Sequence, residues 1–278
     1  MCFPKWLMYI ILLLLVFYMP ALSRDSEHYS ERFKIRDDQV DVHLDIDAAE
    51  VEVRSGDTGV LFVEMDYSKN AFDIYTEFDE KRSRVLIECD KENWDEDHKD
   101  AHARIVVNLP RGTSIALKAK IKAGRIDMDF GHLALNELEL TTWAGEVDVD
   151  FSGANRIEMS HLHINTKIGD TDIRRLGNAR FKEADIDGGI GEMSLDFNGK
   201  MLDGAEVDID LDIGETNLDL PDELGVKLYV SKFLFLTDVK VPKNFKKSGS
   251  HYYSQNYDDS DRSFVLRVSQ GIGSLQFR

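Results

Sequence analysis

The sequence has 278 residues, 52 acidic against 34 basic side chains for a net charge of −18, and a 42 % share of hydrophobic residues. A chain this acidic is a poor match for nucleic acid or for direct adhesion to anionic lipid, because its field repels phosphate. Cys2 and Cys89 are its two cysteines, and Cys2 lies in a segment expected to be removed, so an intramolecular disulfide framework is excluded too.

Residues 1–23 read as a signal peptide. Lys5 is a short positive start, Trp6 to Met19 an apolar run, and Ala21-Leu22-Ser23 a small-x-small cleavage site before Arg24. Left uncleaved, Trp6 to Leu22 is long enough to anchor the chain along a tilted path through a membrane. No second apolar stretch of spanning length follows. The rest is therefore expected to be exported to the periplasm, envelope or exterior, and to be long enough to build a core without staples.

Residues 24–109 are expected to form an N-terminal β cap region. Arg24 to Arg32 is charged and expected to be a flexible leader. From Val40 the chain alternates, with Val42, Leu44 and Ile46 on one face and Asp41, His43 and Asp45 on the other, the period of a half-buried strand. Strands are also expected at Val60 to Met65, Ala71 to Glu77, Arg84 to Glu88 and Arg104 to Leu109. Gly56 and Gly59 mark a turn, and acidic Asp90 to Asp100 a solvated loop. Cys89, inside an apolar run, reads as a small strand residue.

Residues 110–278 carry a repeat. Gly124, Gly145, Gly169, Gly191 and Gly214 are spaced 21, 24, 22 and 23 residues apart, and each is followed by a second alternating segment such as GEVDVDF. Leu117, Leu138, Leu162, Ala184 and Val207 each lie seven residues before one of these glycines. Val42 stands in the same relation to Ala49, which suggests an entry unit with alanine at the corner. Such a period signals stacked units that cannot bury an apolar face alone. The expected fold is all-β: a single-stranded β-solenoid-like, β-helix-like stack of coils of about 22 residues, with two strands per coil facing across an apolar interior. Met128, Phe130, Val149, Phe151, Leu195, Phe197, Leu218 and Leu220 would fill that interior. Insertions gather on the edge away from the glycines. After Pro221 the period breaks: Val226 to Val230 and Phe233 to Val241 read as strands and Pro242 to Arg262 as a polar loop. The repeat returns at Leu266 and Gly273, and this last unit is expected to cap the stack.

Few side-chain clusters have the chemistry of a site. Asp208, Asp210 and Asp212 alternate on one strand face and could hold calcium with oxygen ligands, although outward strand positions must be polar in any case. His161 and His163 face the same way but lack a third ligand for zinc, and His98 and His102 lie in a loop-like context. No nucleophile motif, metalloprotease motif or phosphate loop is present, so neither catalysis nor a cofactor is expected. Tyr252, Tyr253 and Tyr257, with Phe245, His251, Lys243, Lys246 and Lys247, form the one basic, tyrosine-rich patch. It is a candidate for partner binding, or for folding back over the end of the stack.

The runs VHLDIDAAEVEVRSGDTGVLFVEMDY, GEVDVDF to GETNLDLP and YYSQNYDDSDRSFVLRVSQGIGSLQF resemble the bacterial toastrack-type β-domains. That group includes the LiaF-like cell-envelope proteins and many proteins named as adhesins. The resemblance covers residues 33–278 and implies a β-solenoid-like domain in an envelope setting, linked in some members to sensing of envelope stress. It brings no catalytic residues, and the multi-helix membrane region of the LiaF-like regulators has no counterpart here. The expected function is a non-catalytic, exported envelope interaction or scaffold module, adhesive or stress-related. Its partner would be an envelope protein or glycan, with a homo-oligomer as a further option. A calcium-dependent carbohydrate-binding or carbohydrate-acting protein is the alternative.

Overall fold

Glycine spacing becomes strand register in the computed structural model, which describes residues 26–92, 101–232 and 236–278. Residues 1–25, which include the expected signal peptide, His98, most of the acidic loop and residues 233–235 lie outside the described residues. The first strands are β1 (Ser26–Lys34), β2 (Gln39–Thr58), β3 (Val60–Ser68), β4 (Phe72–Asp79), β5 (Arg84–Lys91) and β6 (Ala103–Arg111). The repeat forms β7 (Ser114–Asp129), β8 (Ala134–Asp150), β9 (Met159–Arg174), β10 (Phe181–Asp196) and β11 (Ala205–Asp219). Then come β12 (Gly225–Lys232), β13 (Thr237–Lys240), β14 (Phe245–Ser248), β15 (His251–Ser254) and β16 (Ser263–Phe277). No helix among the described residues is long and apolar enough to cross a membrane.

Seven long strands stack in parallel in the order β2-β7-β8-β9-β10-β11-β16. Gly124 pairs with Gly145, Gly145 with Gly169, Gly191 with Gly214 and Gly214 with Gly273. Ala49 pairs with Gly124, so the predicted entry unit is the first coil of the stack. The two strands expected per coil are two arms of one strand, continuous through its glycine corner. The corner interrupts the alternation. Leu117, Ala119 and Ile121 are buried before it, Ile126 and Met128 after it, so both arms present an apolar face to the interior.

The interior is closed by three walls, one more than the repeat suggests. Phe197, at the end of one second arm, packs 5.9 Å from Phe264 at the start of a first arm, so the arms meet across the core. The return segments between coils form the third wall through buried Leu133, Leu176, Ala179 and Met201. Buried Asn155 ties the return after β8 to the start of β8, its Oδ1 accepting from the Leu135 amide at 2.8 Å and its Nδ2 donating to the Leu135 carbonyl at 2.7 Å. Of the predicted interior residues, Leu220 is partly buried and the others are buried.

Both ends of the stack use the same device. One bent strand is covered by two short ones, one per arm. At the N-terminal end β5 pairs with Asp41–Ile46 of β2 and β6 with its second arm. At the other end β12 pairs with Ser263–Gln270 of β16 and β13 with Gly273–Gln276. The last repeat unit therefore does not cap the stack. It slots between β11 and the β12/β13 pair, because those short strands supply the outer layer. Two further expectations are corrected. The charged segment expected to be flexible, Arg24 to Arg32, is ordered from Ser26 onward as β1, which pairs along its length with β3, with Phe33 buried and Tyr29 against the core. The polar loop 242–262 holds the hairpin β14–β15, turned at Gly249.

Candidate binding face

Side chains that point outward on the first arms form one continuous surface, because parallel register aligns like positions in neighbouring coils. On β9 these are His161 and His163; on β10, Glu183, Asp185 and Asp187; on β11, Glu206, Asp208 and Asp210. Arg267 of β16 stands opposite Asp208 on one side and Tyr229 of β12 on the other. The acidic ladder thus runs into an arginine and then into tyrosines.

Arg267 joins the two chemistries. Its guanidinium donates to Glu206 at 2.8 Å and to Asp208 at 3.2 Å, and lies 5.8 Å from the centre of the Tyr229 ring. The bond to Glu206 chiefly raises its pKa further. Beyond it, Tyr229 meets His251 edge-on at 4.0 Å, His251 stacks 6.2 Å from Tyr253, and Tyr253 meets Tyr257 at 5.0 Å. The Lys227 ammonium lies 5.3 Å from the Tyr229 ring and 5.9 Å from that of Tyr253, and its bond to Tyr229 holds its pKa up. An open groove of about 380 Å³ runs between Asp185, Asp187, Asp208, Asp210, Tyr229 and Arg267.

The predicted tyrosine patch divides. Tyr252 packs against the core and helps cover the end of the stack, with Lys247 5.5 Å above its ring. Tyr253 and Tyr257 extend the outward aromatic row. Asp208 is paired with Arg267, and among the described residues Asp208, Asp210 and Asp212 do not converge with other His, Cys, Asp or Glu ligands. His161 and His163 do gain a neighbour: Asp185 Oδ2 lies 3.4 Å from His161 Nε2. His102 sits apart, 3.2 Å from the Ser68 hydroxyl. Cys89 is fully buried, and burial pushes its thiol up to about 12, the behaviour of a packing residue.

Two surfaces escaped the sequence reading. Tyr229, Lys227 and Arg267 were legible as outward residues by alternation, yet their meeting needs β16 to lie between β11 and β12. Ile168, Ile190, Ile213 and Ile272, each just before a corner glycine, form an exposed apolar ridge, with Ile190 in register with both Ile168 and Ile213. On the acidic face of the second arms, Arg125 lies 3.4 Å from Glu146, and Arg174 3.5 Å from Asp172. Burial raises the Asp172 pKa, against the pull of Arg174.

The family model described as the N-terminal domain of toast_rack, DUF2154, matches residues 23–174. No curated protein matches the chain. A structure titled "putative cell adhesion protein" from Clostridium sporogenes is 15 % identical and aligns over 91 % of this chain and 98 % of its own, with a TM-score of 0.44. A "putative adhesin" from Bacteroides fragilis is 10 % identical over 92 % and 98 %, with a TM-score of 0.37. A "putative lipid binding protein" from Parabacteroides distasonis is 9 % identical over 91 % and 97 %, with a TM-score of 0.33.

Proposed function

The chain belongs to the toast_rack family, and from that premise we propose that it is an exported, non-catalytic binding module of the cell envelope that takes a glycan on its first-arm face. The observation that carries this reading is the groove where Tyr229, Arg267 and the carboxylates of Asp185, Asp187 and Asp210 meet. An aromatic ring offers a flat apolar surface to the C–H face of a sugar. Carboxylates accept hydrogen bonds from its hydroxyls, and a guanidinium donates to its oxygens. The same carboxylates repel uronic acids, which points to a neutral or amino-bearing sugar.

The binding is expected to be independent of calcium, because Arg267 already neutralises the Asp208 end of the acidic ladder. A glycan array probed with the full chain, with calcium and with chelator, tests this. The expected result is the same set of bound neutral or amino sugars in both conditions, weakened in Tyr229→Ala and Tyr253→Ala variants that still melt like wild type. Binding that needs calcium would favour the alternative of a calcium-dependent lectin-like protein. Capture of an envelope protein with no sugar bound would overturn the glycan reading.

A further inference from the structure

We propose that His161, His163 and Asp185 form a binding site for one divalent first-row transition cation, with zinc as the best chemical fit. The site follows from strand geometry. Leu162 and Ile164 are buried, so the two histidines between and beside them must point outward on β9. Their rings lie nearly parallel, 10° apart, with centroids separated by 6.4 Å. Asp185 is in register with His163 on the neighbouring strand, yet its carboxylate reaches diagonally to 3.4 Å from His161 Nε2. It therefore stands between the two imidazoles. One ligand atom from each of the three residues lies within 4.8 Å of the others.

The donor set selects the cation. Two imidazole nitrogens and one carboxylate oxygen suit zinc, copper or nickel, whereas calcium and magnesium take oxygen shells. Metal–ligand distances of about 2.0–2.2 Å place tetrahedral ligand atoms roughly 3.3 Å apart, so closing on a cation requires modest side-chain rotations. The side chains are free to make them, since His161 is 37 % and Asp185 48 % exposed. Three protein ligands leave a coordination position for water. Asn165, the next outward residue on β9, keeps its Oδ1 buried and without a hydrogen-bond partner.

The surroundings favour a cation. Glu137 and Glu139 flank the histidines from β8, and Glu183 and Asp187 lie on β10. Lys118 is engaged with Glu139 at 2.5 Å, and Arg267 with Glu206 and Asp208. The site lies beyond the acidic end of the tyrosine groove. Asp185 borders both, but the proposal does not depend on what the groove binds.

The test is a titration of the full chain with Co²⁺, read by its ligand-field absorption, followed by displacement with Zn²⁺. The expected result is one saturable equivalent displaced by zinc and not by calcium. Affinity should fall at least about tenfold in His161→Gln, His163→Gln and Asp185→Asn, the scale on which metal sites respond to loss of supporting groups. Glu215→Gln, an exposed acid elsewhere, should leave it unchanged. Melting curves without metal establish that each variant is folded. No saturable Co²⁺ spectrum, or one that persists in the His161→Gln/His163→Gln double variant, would overturn the site.

Discussion

The corner glycines make the sharpest prediction, and Gly169→Ala is its cleanest form. Gly169 has φ +129°, and a Cβ built there would lie 1.8 Å from the carbonyl oxygen of Gly145 in the preceding coil. That oxygen belongs to backbone held in the ladder, so relief means moving one coil against another by more than 1 Å, where strands stack about 4.8 Å apart. A non-glycine residue forced into such a backbone conformation costs about 1–3 kcal/mol. Overpacking in a close-packed region costs about 1–3 kcal/mol more. A loss of about 4 kcal/mol is thus expected, a large part of the ~5–15 kcal/mol that holds a domain folded. At about 2–4 °C per kcal/mol for a chain of this size, Tm should drop by about 10 °C. Gly249→Ala is the uncrowded comparison: its φ of +63° lies in the left-handed region and nothing lies within 4 Å of the added Cβ, so it reports a left-handed φ without a clash. Calorimetry and urea unfolding of both variants decide the matter. If Gly169→Ala melts within about 2 °C of wild type, or no lower than Gly249→Ala, close stacking is not why the corners are glycine.

Two other outcomes follow from buried groups. Burial holds the Cys89 thiol up from 9.0 to about 12, so its stabilising contribution is complete below pH 9 and is lost as pH rises toward 12. In a Cys2→Ser background, stability should therefore fall with pH about 1.4 kcal/mol per unit more steeply than in the matching Cys89→Ala variant above pH 9; parallel urea-unfolding profiles would contradict this. Leu266, fully buried on β16, lies between β11 and β12, which do not pair with each other. Leu266→Ala should cost about 2–5 kcal/mol, and hydrogen exchange should quicken in both β11 and β12. An effect confined to one of them would refute the inserted position of β16.

The candidate face shows how far a sequence carries toward a site. Alternation alone places His161, His163, Asp208, Asp210 and Tyr229 outward, since Leu162, Ile209 and Leu228 must point in. It cannot say that Asp185 closes on His161, because the two are 24 residues apart and the returns between coils vary in length. Nor does it separate Tyr252 from its neighbours, which depends on β15 lying antiparallel to β12.

Local sequence was enough for everything that repeats at fixed spacing. Seven residues to a glycine, and alternation that resumes beyond it, determine two extended arms about a corner, their inward faces and the coil-to-coil register, because identical short-range constraints recur in each unit. Ala49 even marks the end of the stack. β5 pairing stops at Ile46 and β6 pairing begins at Glu50, so among the described residues no strand of an earlier coil pairs across that corner. The third wall, the ordered β1, and the insertion of β16 inside β12 and β13 were decided only by the tertiary structure. Each rests on pairing between segments distant in the chain, where the choice of partner depends on which edge and which apolar surface remain uncovered once the regular coils have stacked.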